Sequence, residues 1–114
     1  MKKLFLILSA ILIIFSSFQK KRTKHQIPEC IRQKITGFKK LEKFEQPQNV
    51  YEYTYKGKKV YYITLPCCDN FNELYDSNCI LLGHPDGGFT GRGDGSLPDF
   101  SKEKKGARLI WKNN

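Results

Sequence analysis

The sequence lacks most of the features on which large enzymes, nucleic-acid readers and multi-span membrane proteins depend. It has two histidines, one tryptophan and a single long apolar run in 114 residues. One apolar run is too few for a multi-span membrane protein, and the length leaves no room for a separate cofactor domain. The glycine-rich stretch is not followed by Gly-Lys-Ser/Thr, which excludes a Walker-type phosphate loop. Because zinc-finger spacing and aromatic RNA-binding motifs are also absent, nucleic acid is not an expected partner.

The single apolar run lies at the amino terminus and has the three parts of an export signal. A short basic leader precedes apolar residues 4–15, and small residues follow at Ser16 and Ser17. We expect residues 1–19 to be a signal peptide and residues 20–27 to be a basic linker. The chain is therefore expected to be secreted or periplasmic. The alternative is an uncleaved membrane anchor over residues 4–18, although a spanning helix needs roughly 20 apolar residues.

The positive charge of the chain is concentrated in this N-terminal region. The formal net charge is +9, but residues 1–24 hold six of the twenty basic residues and none of the eleven acidic ones. From residue 25 onward, 14 basic and 11 acidic residues leave a net charge of +3. The folded part is only mildly basic, so we expect contact with a membrane only through the N-terminal segment.

Four cysteines in a short exported chain predict disulfide bonds. The candidates are Cys30, Cys67, Cys68 and Cys79. In small secreted domains each bridge contributes about 2–4 kcal/mol to stability. Because a bond between adjacent cysteines distorts the peptide between them, we expect one of Cys67 and Cys68 to pair with Cys30 and the other with Cys79. The rival interpretations are a metal site, which adjacent cysteines do not suit, and a vicinal redox pair.

A helix is predicted directly after the linker. Four apolar residues recur at spacings of four, four and three, which places them on one helical face. They are Ile27, Ile31, Ile35 and Phe38. Pro28 suits the first turn, and the predicted helix covers residues 28–41. Its apolar face needs a partner, which we expect to be the segment that follows.

That segment predicts antiparallel strands. Two β-rich runs flank Lys56-Gly57-Lys58 and predict a hairpin, and two shorter runs follow. The predicted strands are residues 50–55, 60–65, 74–76 and 79–82. The expected fold is α+β, with one N-terminal helix packed on a small antiparallel sheet of about four strands and a Gly-rich loop after it. Residues 28–114 form this single domain, in which residues 107–111 add a final strand or dock against the core.

A row of tyrosines lies on one face of the first strand. Tyr51, Tyr53 and Tyr55 alternate with Glu52 and Thr54, so the two sets point to opposite faces of the sheet. We interpret the tyrosines as a core face whose hydroxyls reach the rim. The alternative is an exposed binding platform, in which Tyr53 contacts a partner.

The glycine-rich loop over residues 84–100 allows three interpretations. Asp86, Asp94 and Asp99 offer carboxylates to a hard cation such as Ca²⁺. Phe89 and Arg92 offer contacts to a partner protein. In the interpretation that we favour, the glycines simply permit turns with positive φ and the aspartates cap those turns.

Motifs spread over residues 28–100 resemble a family of short exported bacterial proteins of unknown function. The motifs are CIRQKI, EYTYKGKKVYYI, CCDNFNELYD and PDGGFTGRGDGSLPDF. The resemblance implies export and a small α+β domain, and it implies no known activity. Members of that family often carry cysteines at the positions of Gly83 and Leu97, so a bridge across the glycine-rich loop is absent here. The helix and hairpin also resemble, more weakly, the exported PepSY-type modules, which are thought to bind or inhibit.

These observations favour a non-catalytic binding or inhibitory module of the cell envelope. Such a module requires no cofactor, and its partner would be an envelope protein that contacts the loop or adds a strand to an open sheet edge. A Ca²⁺-binding envelope protein that uses the same loop is the alternative. A small hydrolase is a second alternative, for which His84 with Asp86 or Asp94 is the only constellation that the sequence offers.

Overall fold

The computed structural model describes residues 26–67 and 69–114, so the predicted signal peptide and residues 20–25 of the linker lie outside the described residues. The elements in chain order are α1 (Glu29–Phe38), β1 (Asn49–Tyr55), β2 (Lys58–Thr64), β3 (Glu73–Asp76), β4 (Leu81–Gly83), α2 (Phe100–Glu103) and β5 (Lys105–Lys112). This is the predicted α+β fold, with the helix N-terminal to the sheet. None of the helices in the described ranges has the length and apolar character needed to span a bilayer.

Helix α1 begins one residue later and ends three residues earlier than the sequence predicts. The Pro28 carbonyl accepts the backbone N–H groups of Ile31 and Arg32, both at 3.1 Å, which starts the helix. Gly37 favours termination because it loses the most conformational freedom in a helix. The helix accordingly ends at Phe38, and the chain continues with tighter bonds such as Lys40 N to Gly37 O at 3.2 Å.

The sheet has five strands rather than about four, because the C-terminal segment, for which the sequence left open a final strand or docking on the core, pairs with β1 as a strand. The strand order is β4-β3-β2-β1-β5, and every neighbouring pair is antiparallel. The β1–β2 hairpin turns through Lys56 and Gly57, both with positive φ, as the twist of a two-residue hairpin requires. Strand β4 begins at Leu81 rather than at residue 79, because Cys79 has a φ of 60° and its N–H bonds to Asp76 O in a turn.

The helix packs on the face of the sheet opposite to the tyrosine row. Ile31 and Ile35 of α1 form a buried cluster with Val50, Tyr61 and Ile63 of the β1–β2 hairpin. The prediction that the β1–β2 segment packs on the helix is therefore confirmed. The face that contacts α1 is the one opposite to the tyrosine row. The reason is register: Val50 pairs with Ile63, so both side chains lie on the face opposite to the tyrosine row, and α1 packs on that face.

The tyrosine face is also covered, by the end of the glycine-rich segment. Tyr55 is buried with Val60, Leu74 and Phe100, and Phe100 comes from the short helix α2. The prediction of a core face is confirmed for Tyr55, whereas Tyr53 is only partly buried. The sheet thus lies between α1 on one side and the loop with α2 on the other.

The disulfide pairing differs from the expected one. Cys30 of α1 is bonded to Cys79, which precedes β4, with 6.1 Å between their Cα atoms. The sequence analysis disfavours this bond, because pairing Cys30 with Cys79 would leave the adjacent Cys67 and Cys68 to pair with each other. Cys67 is also disulfide-bonded, and Cys68 lies outside the described residues. The fold decides the pairing because α1 crosses the sheet beside the β3–β4 turn and brings Cys30 to Cys79.

A carboxylate is buried beneath the helix. Glu52 is 2% exposed and accepts a hydrogen bond from the Tyr61 hydroxyl at 3.0 Å. Two cations lie at the rim, with Lys59 Nζ 3.7 Å and Arg108 Nε 3.9 Å from the carboxylate. Burial, followed by the bond to Glu52, raises the pKa of Tyr61, so its hydroxyl remains a donor. A buried charge of this kind is tolerated because it is paired on several sides.

Replacing Glu52 with alanine should lower the free energy of unfolding by about 1–3 kcal/mol, because the buried Tyr61 hydroxyl loses its acceptor. Urea denaturation measures the effect. Glu42→Ala is the matched control, since Glu42 is exposed and its substitution should change stability by less than about 0.5 kcal/mol. Equal effects of the two substitutions would contradict the assignment.

Candidate functional site

In the structure the predicted glycine-rich loop covers residues 84–99, between β4 and α2, and we call it the glycine loop. It is hydrogen-bonded near its start to the segment that precedes β3. Asn72 N donates to Asp86 O at 3.1 Å, and Gly88 N donates to Asn70 O at 2.9 Å. Within the loop, Asp94 N donates a hydrogen bond to His84 O at 3.1 Å. These bonds close the base of the loop and give it a defined path across the tyrosine face.

A side-chain network reinforces the same base. The Tyr62 hydroxyl donates to the Asp86 carboxylate at 2.7 Å, and Asn72 Nδ2 donates to the same carboxylate at 2.7 Å. The Asn72 amide oxygen accepts the backbone N–H of Leu65 at 3.0 Å, so one side chain joins the loop to the end of β2. Burial, with a smaller effect of Asp86, raises the pKa of Tyr62. The Asp86 carboxylate therefore accepts hydrogen bonds from two side chains of the protein.

Two glycines are required where the loop approaches other backbone. Gly87 has a φ of 83°, and a Cβ there would lie 2.6 Å from Asn70 O. Gly93 has a φ of 67°, and its Cβ would lie 2.7 Å from Asp86 N. Any other residue would be strained in conformation and would collide with the backbone, so these positions support the structural interpretation of the glycines.

The tip of the glycine loop presents Phe89. Gly91 N donates to Gly88 O at 3.2 Å, which forms a tight turn with Phe89 near its apex. The Phe89 side chain is 93% exposed, and Arg92 in the same loop is also exposed. These two candidate partner-binding residues are thus close in the chain and displayed on the same loop.

Tyr53, the third candidate, does not share that surface. It is partly buried in an aromatic cluster, where its ring lies 5.7 Å from Phe100 and 6.2 Å from Tyr62. Desolvation is the main reason that the pKa of Tyr53 is raised, followed by Coulombic interactions with Tyr51 and Asp86. The structure brings Phe89 and Arg92 together and places Tyr53 elsewhere.

The three candidate calcium ligands serve separate structural contacts. Asp94 accepts the backbone N–H of Ser96 at 2.9 Å and the Ser96 hydroxyl at 2.5 Å, and these bonds lower its pKa. Asp99 accepts the Tyr55 hydroxyl at 2.6 Å and pairs with Lys56 at 3.1 Å. Asp86 binds Tyr62, as described above. Within residues 26–67 and 69–114 no group of three acidic, histidine or cysteine side chains is placed to hold a metal ion.

The His84 ring contacts Asn72 and Phe71, and a Coulombic interaction and a backbone hydrogen bond from His84 are among the smaller causes that lower the pKa of Asp94. Its Nδ1 lies 3.1 Å from Asn72 O, and its ring lies 5.5 Å from that of Phe71. The side chain therefore helps to hold the base of the loop.

Sequence reasoning missed three features of the structure, two of them on the tyrosine face and one, Glu52, on the face that α1 covers. The first is the role of Asn72 at the centre of a hydrogen-bond network, and the second is the burial of Glu52. No local sequence pattern indicates either of them. The third is the position of Lys104, whose ammonium lies over the aromatic cluster at 4.8 Å from the Tyr53 ring centre. The sequence places Lys104 close to Phe100, but only the packing of α2 against β1 and β2 shows that its ammonium also lies over Tyr53 and Tyr62.

Comparison with known proteins identifies a family and no characterised relative. A family described as a domain of unknown function, DUF6970, matches residues 36–113, which is more than half of the chain. No curated protein matches the chain, and no solved structure matches it.

The pairing of Asp99 with Tyr55 and Lys56 predicts a pH dependence of stability. The bond from Tyr55, followed by that from Lys56, holds the pKa of Asp99 below its ordinary value of 3.8. The charged form therefore stabilises the fold above that value, and this contribution is lost as the pH falls through the lower, folded-state pKa. Urea denaturation between pH 5 and pH 2 should show the stability difference between wild type and Asp99→Asn shrinking with acid. A constant difference over that range would contradict the pairing.

Proposed function

This chain belongs to the DUF6970 family, a domain of unknown function, and we propose that it is an exported, non-catalytic binding module that docks a protein of the cell envelope through Phe89. Because the family has no assigned activity, the proposal is argued from the chain itself. It has two parts, the location of the chain and the surface that binds.

Export is supported by the N-terminal sequence and by the disulfide. The basic leader and the apolar run of residues 4–15 are typical of a signal peptide. The Cys30–Cys79 bond suits an oxidising compartment such as the periplasm, because cytosolic thiols are usually kept reduced.

The observation that carries the binding proposal is the exposure of Phe89. A phenylalanine that is 93% exposed leaves nearly its whole ring in water, and burial against a partner would gain about 1.5–3 kcal/mol. The turn that carries it stands on the hydrogen-bonded base formed by Asn70, Asn72 and Asp86, so little further ordering is needed on binding.

Arg92 adds a second contact of a suitable type. It is exposed three residues after Phe89, and its guanidinium forms no ion pair with any residue of the described ranges. Aromatic and arginine side chains dominate the energetics of protein interfaces. The pair favours a partner with an apolar pocket beside an acidic group. The weaker resemblance to PepSY-type modules, which are thought to bind or inhibit, points in the same direction.

A photo-crosslinking amino acid at position 89 should yield one discrete adduct in cells, and the same probe at position 44 should not. Phe44 is a matched control because it is also an exposed phenylalanine, at 77%, on the segment between α1 and β1. Excess purified wild type should compete the adduct away from a membrane extract. Phe89→Ala protein should fail to compete although its thermal midpoint is unchanged. Identical adducts from both positions, or full competition by Phe89→Ala, would refute the proposal.

The export part predicts a mature chain whose N-terminus lies near residue 20 and whose Cys30 and Cys79 resist alkylation until a reductant is added. Mass spectrometry of the native protein after alkylation measures both properties. The control is the same sample reduced before alkylation, in which both thiols should react. A full-length cytosolic chain with both thiols reactive at the outset would overturn this part alone.

A further inference from the structure

Three aromatic rings surround the ammonium group of Lys104 on the tyrosine face. The Lys104 Nζ lies 4.8 Å from the centre of the Tyr53 ring, 5.3 Å from that of Phe100 and 5.8 Å from that of Tyr62. All three distances are within the range of cation–π attraction, which is about 6 Å. The rings come from β1, β2 and α2, so only the folded chain assembles them.

The three rings pack against one another. The planes of Tyr53 and Phe100 are perpendicular, at 90°, those of Tyr53 and Tyr62 are inclined at 68°, and those of Tyr62 and Phe100 lie at 34°. The ammonium of Lys104 lies over this cluster, within reach of all three rings. We call these three residues, Tyr53, Tyr62 and Phe100, the aromatic cage.

The ammonium of Lys104 is attracted by the electron-rich faces of neutral rings and not by a nearby carboxylate of the described residues. In the described ranges no carboxylate lies within 4 Å of Nζ, in contrast to the ion pair of Lys56 with Asp99. The nearest acidic influence on the cage comes from Asp86, which accepts the Tyr62 hydroxyl at 2.7 Å and adds negative potential behind the rings. The site therefore has the electrostatics of a cation-binding pocket.

We propose that the aromatic cage is a binding site for a quaternary ammonium group, and that Lys104 occupies it until such a ligand displaces it. A primary ammonium is a compact, strongly hydrated charge that loses hydrogen bonds to water when it enters a cage. A trimethylammonium group has no N–H to lose, and its methyl groups would make apolar contact with the rings at the place where the Lys104 ammonium lies. The cage therefore favours the methylated cation.

Lys104 can leave without a change in the fold. It is the residue between α2 and β5, and its backbone N–H remains bonded to Phe100 O at 3.0 Å. The side chain is only partly buried and carries four flexible methylene groups, so it can swing into solvent while the backbone stays in place.

Titration of the full chain with tetramethylammonium, followed through the methyl proton signal of the ligand, tests this site. Ring currents of three surrounding aromatics should shift that signal upfield. Lys104→Ala removes the internal competitor and should bind the probe about tenfold more tightly than wild type. Lys102→Ala, a neighbouring exposed lysine, is the matched control and should bind as wild type does.

Two further measurements make the outcome decisive. Ammonium at equal concentration should compete poorly, and Tyr53→Leu in the Lys104→Ala background should abolish the upfield shift while thermal melting shows that the domain is still folded. The proposal is overturned if Lys104→Ala shows no upfield shift, or if Lys102→Ala tightens binding equally. Phe89→Ala should leave this titration unchanged, which separates the site from the partner surface proposed above.

Discussion

The hydrogen bonds of Asp86 with Tyr62 and Asn72 are the interaction on which the rest of the arrangement depends. They join a loop rich in glycine, which has little order of its own, to the middle of a sheet. Because the same Asn72 side chain also accepts the Leu65 amide, the loop, β2 and the approach to β3 are held as one unit. Each of these polar groups is partly shielded from water and is satisfied within the network, so the loop gains order without an apolar core of its own.

The consequence is a sheet that is covered differently on its two faces. On one face α1 buries aliphatic side chains and the paired carboxylate of Glu52. On the other, the loop brings Phe100 over the tyrosines, leaves Phe89 exposed at its tip and is followed by Lys104, whose ammonium lies over the aromatic cluster. The family to which the chain belongs has no assigned function, so both proposals rest on these features of the chain itself.

Local pattern predicted the elements well because local interactions form them. The helical spacing of Ile31 and Ile35 and the turn at Gly57 both act within a few residues, and both elements are present. The errors concern long-range choices. The pairing of Cys30 with Cys79 joins positions 49 residues apart, and it depends on where α1 lies across the sheet. Which face of β1 packs on the helix likewise depends on the size and shape of the side chains on both faces of the strand.

What the sequence alone determined is the α+β class, the hairpin, the glycine loop and the residues that the loop could display. Those properties follow from backbone preferences and apolar periodicity, which each segment carries by itself. Tertiary structure decided the fifth strand, the cysteine partner, the separate contacts of the three loop aspartates and the meeting of Lys104 with three rings. Each of these needs groups far apart in the chain to come within a few ångströms, and only the packed sheet sets those distances.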